Sequence, residues 1–148
     1  MHQLKYEEGK NVGILLGKQL AYAINESECF NNIDIVIPVP LHSKKQKLRG
    51  YNQSDFIVKG IKEILDIKVN KQSLIRIENT YSQIRKKRFS RWENMMKPFD
   101  LRSSKKLKGK HILLVDDVIT TGSTLEACAQ KLQEVEVVKV SIATIAVA

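Results

Sequence analysis

Apolar positions recur along this chain in two rhythms, a spacing near 3.6 residues and short unbroken runs. Residues 7–26 set Val12, Leu15, Leu16, Gln19, Leu20, Ala23 and Ile24 on one stripe, which predicts an amphipathic helix with that stripe against the core. Gly13 and Gly17 weaken such a helix by roughly 1 kcal/mol each relative to Ala, unless their four-residue spacing marks close packing against another element. Asn31 and Asn32 make a turn before residues 33–39 (IDIVIPV), the first core strand, which Pro38 and Pro40 end. Helical spacing returns over 54–65 through Ile57, Ile61, Ile64 and Leu65, with Ser54 as N-cap. A second strand is expected at 73–77 (SLIRI) and a third at 112–115, where four consecutive apolar residues fit a strand buried on both faces. Residues 124–135 follow with Leu125, Ala129 and Leu132 at helical spacing, and the β-branched run 135–148 ends the sheet. This alternation predicts an α/β fold, with a mainly parallel sheet of four or five strands, right-handed crossovers and flanking helices.

The 148 residues are expected to form one domain, 1–148, and 43% hydrophobic content is ordinary for a globular core. No apolar run is long enough to span a membrane, and residues 1–10 lack the apolar core of a signal peptide, so a cytoplasmic protein is expected. Cys29 and Cys128 are far apart and lack metal-ligand spacing, which suits buried or free thiols in a reducing compartment. Charge changes the picture more. The net value is +9, and residues 81–110 hold 11 Lys and Arg against Glu93 and Asp100, so the whole excess sits in that segment.

Candidate chemistry gathers where the third strand leaves the sheet. Asp116 and Asp117 follow the apolar run at once, and Thr120, Thr121, Ser123 and Thr124 surround Gly122 ahead of the helix. Free N–H groups and the positive end of a helix dipole suit an anion, and Gly122 lets the backbone approach it. The two acids repel a phosphate but accept hydrogen bonds from hydroxyls, or hold a metal beside it. A sugar phosphate satisfies both halves. A plain βα turn whose Thr and Ser merely cap a helix would carry the same residue types. No GxxxxGK[ST] loop occurs. Lys44, Lys45, Lys47 and Arg49 lie in the turn 38–54 after the first strand, and ligands of open α/β sheets bind outside the C-terminal strand ends. These bases suit a pyrophosphate, or form a solvated basic loop.

The stretch 112–124, ILLVDDVITTGST, resembles the 13-residue phosphoribosyl pyrophosphate motif of type I phosphoribosyltransferases: an apolar run, two acids, two apolar residues, then TTGxT. The resemblance implies that Asp116 and Asp117 meet the ribose hydroxyls and Mg²⁺ while Thr120, Thr121, Gly122, Ser123 and Thr124 wrap the 5-phosphate. PVPL at 38–41 and RGYNQ at 49–53 resemble the ComF competence family, a phosphoribosyltransferase branch associated with bacterial DNA uptake. Thr80, Gln83, Arg91, Asn94 and Phe99 match a further block of that family, with Lys86 where an apolar residue is usual. Arg49, Asn52, Gln53 and Asn94 thereby join Lys44 and Lys45 as candidate substrate-binding residues, and Arg91 joins the acids as a candidate catalytic group. ComF proteins commonly begin with a four-cysteine zinc ribbon; this chain has none, and residues 1–10 resemble the stretch that follows it. The chain is then either a shortened form or a natural short member.

Residues 78–110, between the second and third strands, are too long and too charged for an ordinary connection. The resemblance implies a flexible loop there that closes over the reacting centre, although a solvated basic segment has the same composition. The leading expectation is a phosphoribosyltransferase using phosphoribosyl pyrophosphate, or a related sugar phosphate, and Mg²⁺. Lys44 or Lys45 and Arg91 would offset charge on the departing pyrophosphate, with no acceptor identified. The alternative is a single-stranded nucleic-acid-binding competence factor with a vestigial or sensory pocket. Tyr81, Phe89 and Trp92 interleave with the basic residues as stacking surfaces for it. A third option is an assembly role among other competence proteins.

Overall fold

The computed structural model describes residues 2–77, 98–136 and 138–148. The order is α1 (His2–Glu26), β1 (Ile35–Pro38), α2 (Ser43–Arg49), α3 (Gln53–Ile64), β2 (Lys68–Val69), β3 (Leu74–Arg76), β4 (Phe99–Leu101), β5 (His111–Ile119), α4 (Ser123–Gln133) and β6 (Lys139–Val147). Four strands form a parallel sheet in the order β2-β1-β5-β6. The period-2 alternation of β1 and β5 divides the core in two. Ile35, Ile37, Ile112 and Leu114 face α4 and the β3–β4 pair, packing on Leu125, Cys128, Leu132, Leu74 and Phe99. Val36, Leu113 and Val115 face α1 and α3, packing on Ala21, Ile24, Ile57, Val58 and Ile61. The strand read as buried on both faces is therefore so. Among the described residues no helix is long and apolar enough to cross a membrane.

Several local expectations are corrected. Helix α1 forms where predicted, but its core face runs through Gly13, Gly17, Ala21 and Ile24. Val12, Leu15 and Leu16, from the expected core stripe, point outward at 53%, 58% and 37% exposure. Small residues win because they let two helices touch backbone to backbone. A Cβ on Gly17 would meet the Ile57 carbonyl oxygen, and one on Gly60 the Ile14 carbonyl oxygen. The glycines are thus the packing surface that their spacing offered as the alternative.

The strand expected at 73–77 is present as β3 but lies outside the main sheet, antiparallel to β4. Main-sheet strand two is instead Lys68–Val69, too short to leave a periodic signal. Asn70 turns the chain away after it. Its Oδ1 accepts from the backbone N–H groups of Gln72 (3.0 Å) and Ser73 (2.9 Å), and its Nδ2 donates to Ser73 Oγ at 2.8 Å. The long connection is likewise not all loop, since Phe99–Leu101 is strand and Leu107 is fully buried. Residues 78–97 lie outside the described ones.

The basic turn holds a helix, α2, which begins where His42 Nδ1 accepts from Lys44 N at 3.2 Å. It ends at Gly50 in left-handed conformation, φ 77°. Helix α3 starts one residue before the expected start, with Asn52 rather than Ser54 at the cap position.

Candidate functional site

Strand β5 is hydrogen-bonded to β1 only as far as Val115, opposite Pro38, whereas its pairing with β6 runs on to Ile119. The strand does not stop before the acids, as its apolar run suggested. Asp116 and Asp117 lie inside it, past the end of β1, where one edge of β5 is released. Val39 N donates to Val115 O at 2.8 Å and closes the last rung of that side. A crevice at the carboxyl ends of neighbouring strands is where open α/β sheets hold ligands.

Asp116 is fixed within this crevice. Its Oδ1 accepts from Ser54 Oγ at 2.9 Å and from Asp117 N at 2.9 Å. Burial pushes its carboxyl above the ordinary range; the two donors oppose that, and the neighbouring Asp117 carboxylate reinforces it. Asp117 Oδ1 accepts from Val118 N at 2.8 Å. Behind the acids, the Cys128 thiol is pushed up to about 12, chiefly by burial and further by the charge of Asp116, against the pull of Arg76. Both cysteines are free thiols, Cys29 exposed and Cys128 buried, as their spacing suggested.

The turn that follows is set by its glycine. Gly122 is left-handed, φ 77°, and stands at the N-cap of α4, so no side chain caps the helix. Glu126 N donates to Gly122 O at 2.9 Å and starts the helical ladder. The hydroxyls of Thr121 and Ser123 hydrogen-bond to each other at 2.9 Å instead of capping, with a long contact of 3.4 Å from Ser123 N to Thr121 Oγ1. Thr120, Thr121 and Ser123 are exposed, and Gly122 and Thr124 half-buried. The turn therefore presents hydroxyls and a helix N-terminus to solvent, the arrangement an anion requires.

The β1–α3 connection leaves the same sheet end. Asn52 is buried there, and its Nδ2 donates to Val39 O at 2.9 Å, so its amide hydrogens fasten the turn to β1. Gln53 opens α3 half-buried. Lys44, Lys45 and Arg49 are exposed on α2, without a side-chain hydrogen bond or ion pair among the described residues. Arg91 and Asn94 lie outside the described residues. One group in contact with the acids had no signal as a site residue: Ser54, whose residue type reads as a helix cap. Arg76, in β3, acts on the Cys128 thiol, and its guanidinium lies 5.2 Å from the centroid of the Phe99 ring, its cross-strand partner.

Among the described residues no three metal-ligating side chains cluster. Two adjacent carboxylates nonetheless fit Mg²⁺, which is usually held by one or two carboxylates together with a substrate's phosphates rather than in an all-protein cage. An open cavity of about 440 Å³ lies at the far end of α4, lined by Asp100, Lys105, Lys108, Lys131, Glu134 and Glu136 among others. Its charges largely pair with one another: Lys131 with Asp100 (3.2 Å) and Glu134 (2.7 Å), and Lys108 with Glu136 (2.6 Å).

Residues 50–147 match the phosphoribosyl transferase domain. The chain is 30% identical to competence protein F of Haemophilus influenzae, over 96% of this chain and 64% of that protein. It is also 30% identical to the DNA utilization protein YhgH of Salmonella typhimurium, over 89% of this chain and 59% of that protein. It thus spans less than two thirds of these relatives. In fold it is similar to the glutamine phosphoribosylpyrophosphate amidotransferase from B. subtilis complexed with ADP and GMP. There the TM-score is 0.62 at 22% identity, covering 92% of this chain and 26% of that one.

Proposed function

We propose that this chain, which belongs to the phosphoribosyl transferase domain family, binds phosphoribosyl pyrophosphate in the crevice between β1, β5 and α4. The observation that carries the proposal is the sequence of groups along β5 and α4. A held acid pair sits at the released strand edge, followed by an uncapped left-handed glycine turn at a helix N-terminus. Asp116 and Asp117 accept from the ribose hydroxyls, and the turn 120–124 surrounds the 5-phosphate.

The reaction class is transfer of the phosphoribosyl group to an acceptor. The bond from the anomeric carbon to the pyrophosphate oxygen breaks with its electron pair staying on pyrophosphate, and a nucleophilic atom of the acceptor forms the new bond. A cation-like transition state of this kind needs orientation and charge stabilisation more than a protein nucleophile. Lys44, Lys45 and Arg91 offset charge on the departing pyrophosphate. Asp116 and Asp117, together with the substrate, would hold Mg²⁺, which would supply further neutralisation of that charge. Calorimetric titration with phosphoribosyl pyrophosphate, with Mg²⁺ present, tests binding, and pyrophosphate release over a panel of bases tests transfer. No heat of binding at millimolar ligand would refute the first, and no release with any base the second.

The charge distribution favours a second activity alongside this pocket. Residues 81–110 carry the whole net charge of +9, and relatives are named for competence and DNA utilization. Such a segment neutralises phosphates of a single strand while Tyr81, Phe89 and Trp92 stack on bases. Oligonucleotide binding that weakens with salt tests it. Contact with other competence proteins is a further proposal, checked by co-purification.

A further inference from the structure

Ser54 and Asp116 are 62 positions apart in sequence, yet the first turn of α3 sets the Ser54 hydroxyl 2.9 Å from Asp116 Oδ1. Ser54 is 2% exposed, so its hydroxyl has no water to turn to and must find a protein partner. It donates to an oxygen that already accepts from Asp117 N. Among the described residues both donors to Asp116 reach Oδ1, and the Asp117 carboxyl is its further polar neighbour. Two donors converging on one oxygen fix the plane of the carboxylate and leave the other oxygen for a ligand. The same short segment fastens its surroundings, because Asn52 grips Val39 O and Val39 N bonds Val115 O. The acid pair, the end of β1 and the start of α3 are thereby joined by hydrogen bonds.

We propose that Ser54 is a positioning residue for Asp116, locking the carboxylate so that one oxygen faces a hydroxyl of a sugar phosphate held in the turn 120–124. The inference rests on the sugar-phosphate function proposed above. A fixed acceptor gives selectivity more than bulk affinity. A sugar lacking the hydroxyl leaves the acceptor unpaired and is rejected, whereas a loosely held carboxylate turns away at little cost.

The test compares ribose 5-phosphate with 2-deoxyribose 5-phosphate by calorimetry, on wild type, Ser54→Ala, Asp116→Ala and the double variant. Wild type should prefer ribose 5-phosphate. Ser54→Ala should lower that preference about tenfold, as loss of a supporting hydrogen bond commonly does, while leaving the affinity for 2-deoxyribose 5-phosphate in place. In the Asp116→Ala background, removal of Ser54 should change neither affinity. An unchanged preference in Ser54→Ala, or equal loss for both sugars, overturns the positioning role while leaving sugar-phosphate binding intact. Wild type that binds neither sugar overturns the underlying function as well, and wild type that binds both alike overturns the contact of Asp116 with that hydroxyl and the positioning role with it. Ser54→Cys keeps the buried volume with a weaker donor and should fall between wild type and alanine. If the alanine variant does not fold, a cysteine variant with wild-type preference overturns the proposal.

Discussion

Gly122 and Gly109 offer a matched pair of perturbations that separates folding from phosphate binding. Both hold left-handed backbone, φ 77° and 70°, but only Gly122 stands at the candidate phosphate turn. A Cβ on Gly109 has nothing within 4 Å, and one on Gly122 meets Ile119 Cδ1 at an ordinary 3.7 Å. Crowding is therefore minor at both positions, and alanine there costs the left-handed conformation, about 1–2 kcal/mol. A stiffer unfolded chain returns about 0.4–1 kcal/mol of this. The net loss is about 1 kcal/mol at each site, which lowers Tm by roughly 2–4 °C for a chain of this size. Binding should divide the pair. A side chain at 122 holds the turn away from the phosphate, and misplacement of about 1 Å at such a site costs up to roughly 100-fold. Thermal unfolding by circular dichroism should show similar losses for Gly109→Ala and Gly122→Ala. Titration with ribose 5-phosphate should show weakened binding only at 122, and most for Gly122→Val. Equal affinity of the two alanine variants would place the phosphate elsewhere and refute the assignment of the turn.

Four further outcomes are expected. Asp116→Asn and Asp117→Asn should weaken phosphoribosyl pyrophosphate binding in calorimetry; an unchanged dissociation constant rules out their contact with the ribose. Asp116→Asn should also unfold at a higher temperature than wild type at pH 7. Burial raises the folded-state pKa above its ordinary 3.8, so wild type loses stability as pH rises through that window, and the gap should close as pH falls toward 3.8. Gly17→Ala should destabilise by about 1–3 kcal/mol in urea unfolding, despite a helix-propensity gain of about 1 kcal/mol; a more stable variant would contradict the close approach of α1 to Ile57. Replacing Arg85, Lys86, Lys87 and Arg88 with Ala should flatten the slope of log affinity against log salt for single-stranded oligonucleotides by about 3, at roughly 0.7 per lost contact. Wild type showing no oligonucleotide binding at low salt would remove that activity.

What the sequence revealed follows from how local each signal is. The 112–115 run and its partner strand at 33–39 were readable because both faces are buried, so every residue is apolar. The Gly122 turn was readable because left-handed backbone selects its residue. RGYNQ pointed to ComF, and the relatives named for competence and DNA utilization bear that out. Helix α1 was placed correctly but turned the wrong way. Hydrophobic periodicity assumes that large residues mark the buried side, and here glycines do. Strand β3 shows the same ambiguity in another form, since apolar spacing does not say which strand it pairs with, and Asn70 decides that. Ser54 and Asn52 are both cap-type residues one position apart from Gln53, and local preference alone could not rank them. The bond from Ser54 to Asp116 joins distant parts of the chain, beyond the reach of any local pattern.

These departures gather at one end of the sheet, and their energetics explain why. Aspartate is a poor strand residue, yet Asp116 and Asp117 continue β5 beside β6. Burial then opposes the ionisation of Asp116, and Ser54 and the Asp117 N–H only partly offset it. Next come a left-handed residue and a helix without a side-chain cap, each a missed chance of stabilisation. A neutral Asn at 116, which keeps the acceptor for Ser54, an Asp at the cap of α4 and an alanine-compatible turn would all serve the fold better. Where the same strand starts, the local rules are kept. His111 is buried with both ring nitrogens placed, Nδ1 at 3.2 Å from Asn31 O and Nε2 at 2.8 Å from Ser141 Oγ. Asp34 there accepts from His111 N at 2.8 Å. Within β5, then, polar groups at the amino end are satisfied by the protein itself. At the carboxyl end an acceptor oxygen and a helix N-terminus are left for something else. A ligand that brings hydroxyls and a phosphate together supplies both missing partners at once, which neither a phosphate alone nor a neutral sugar does.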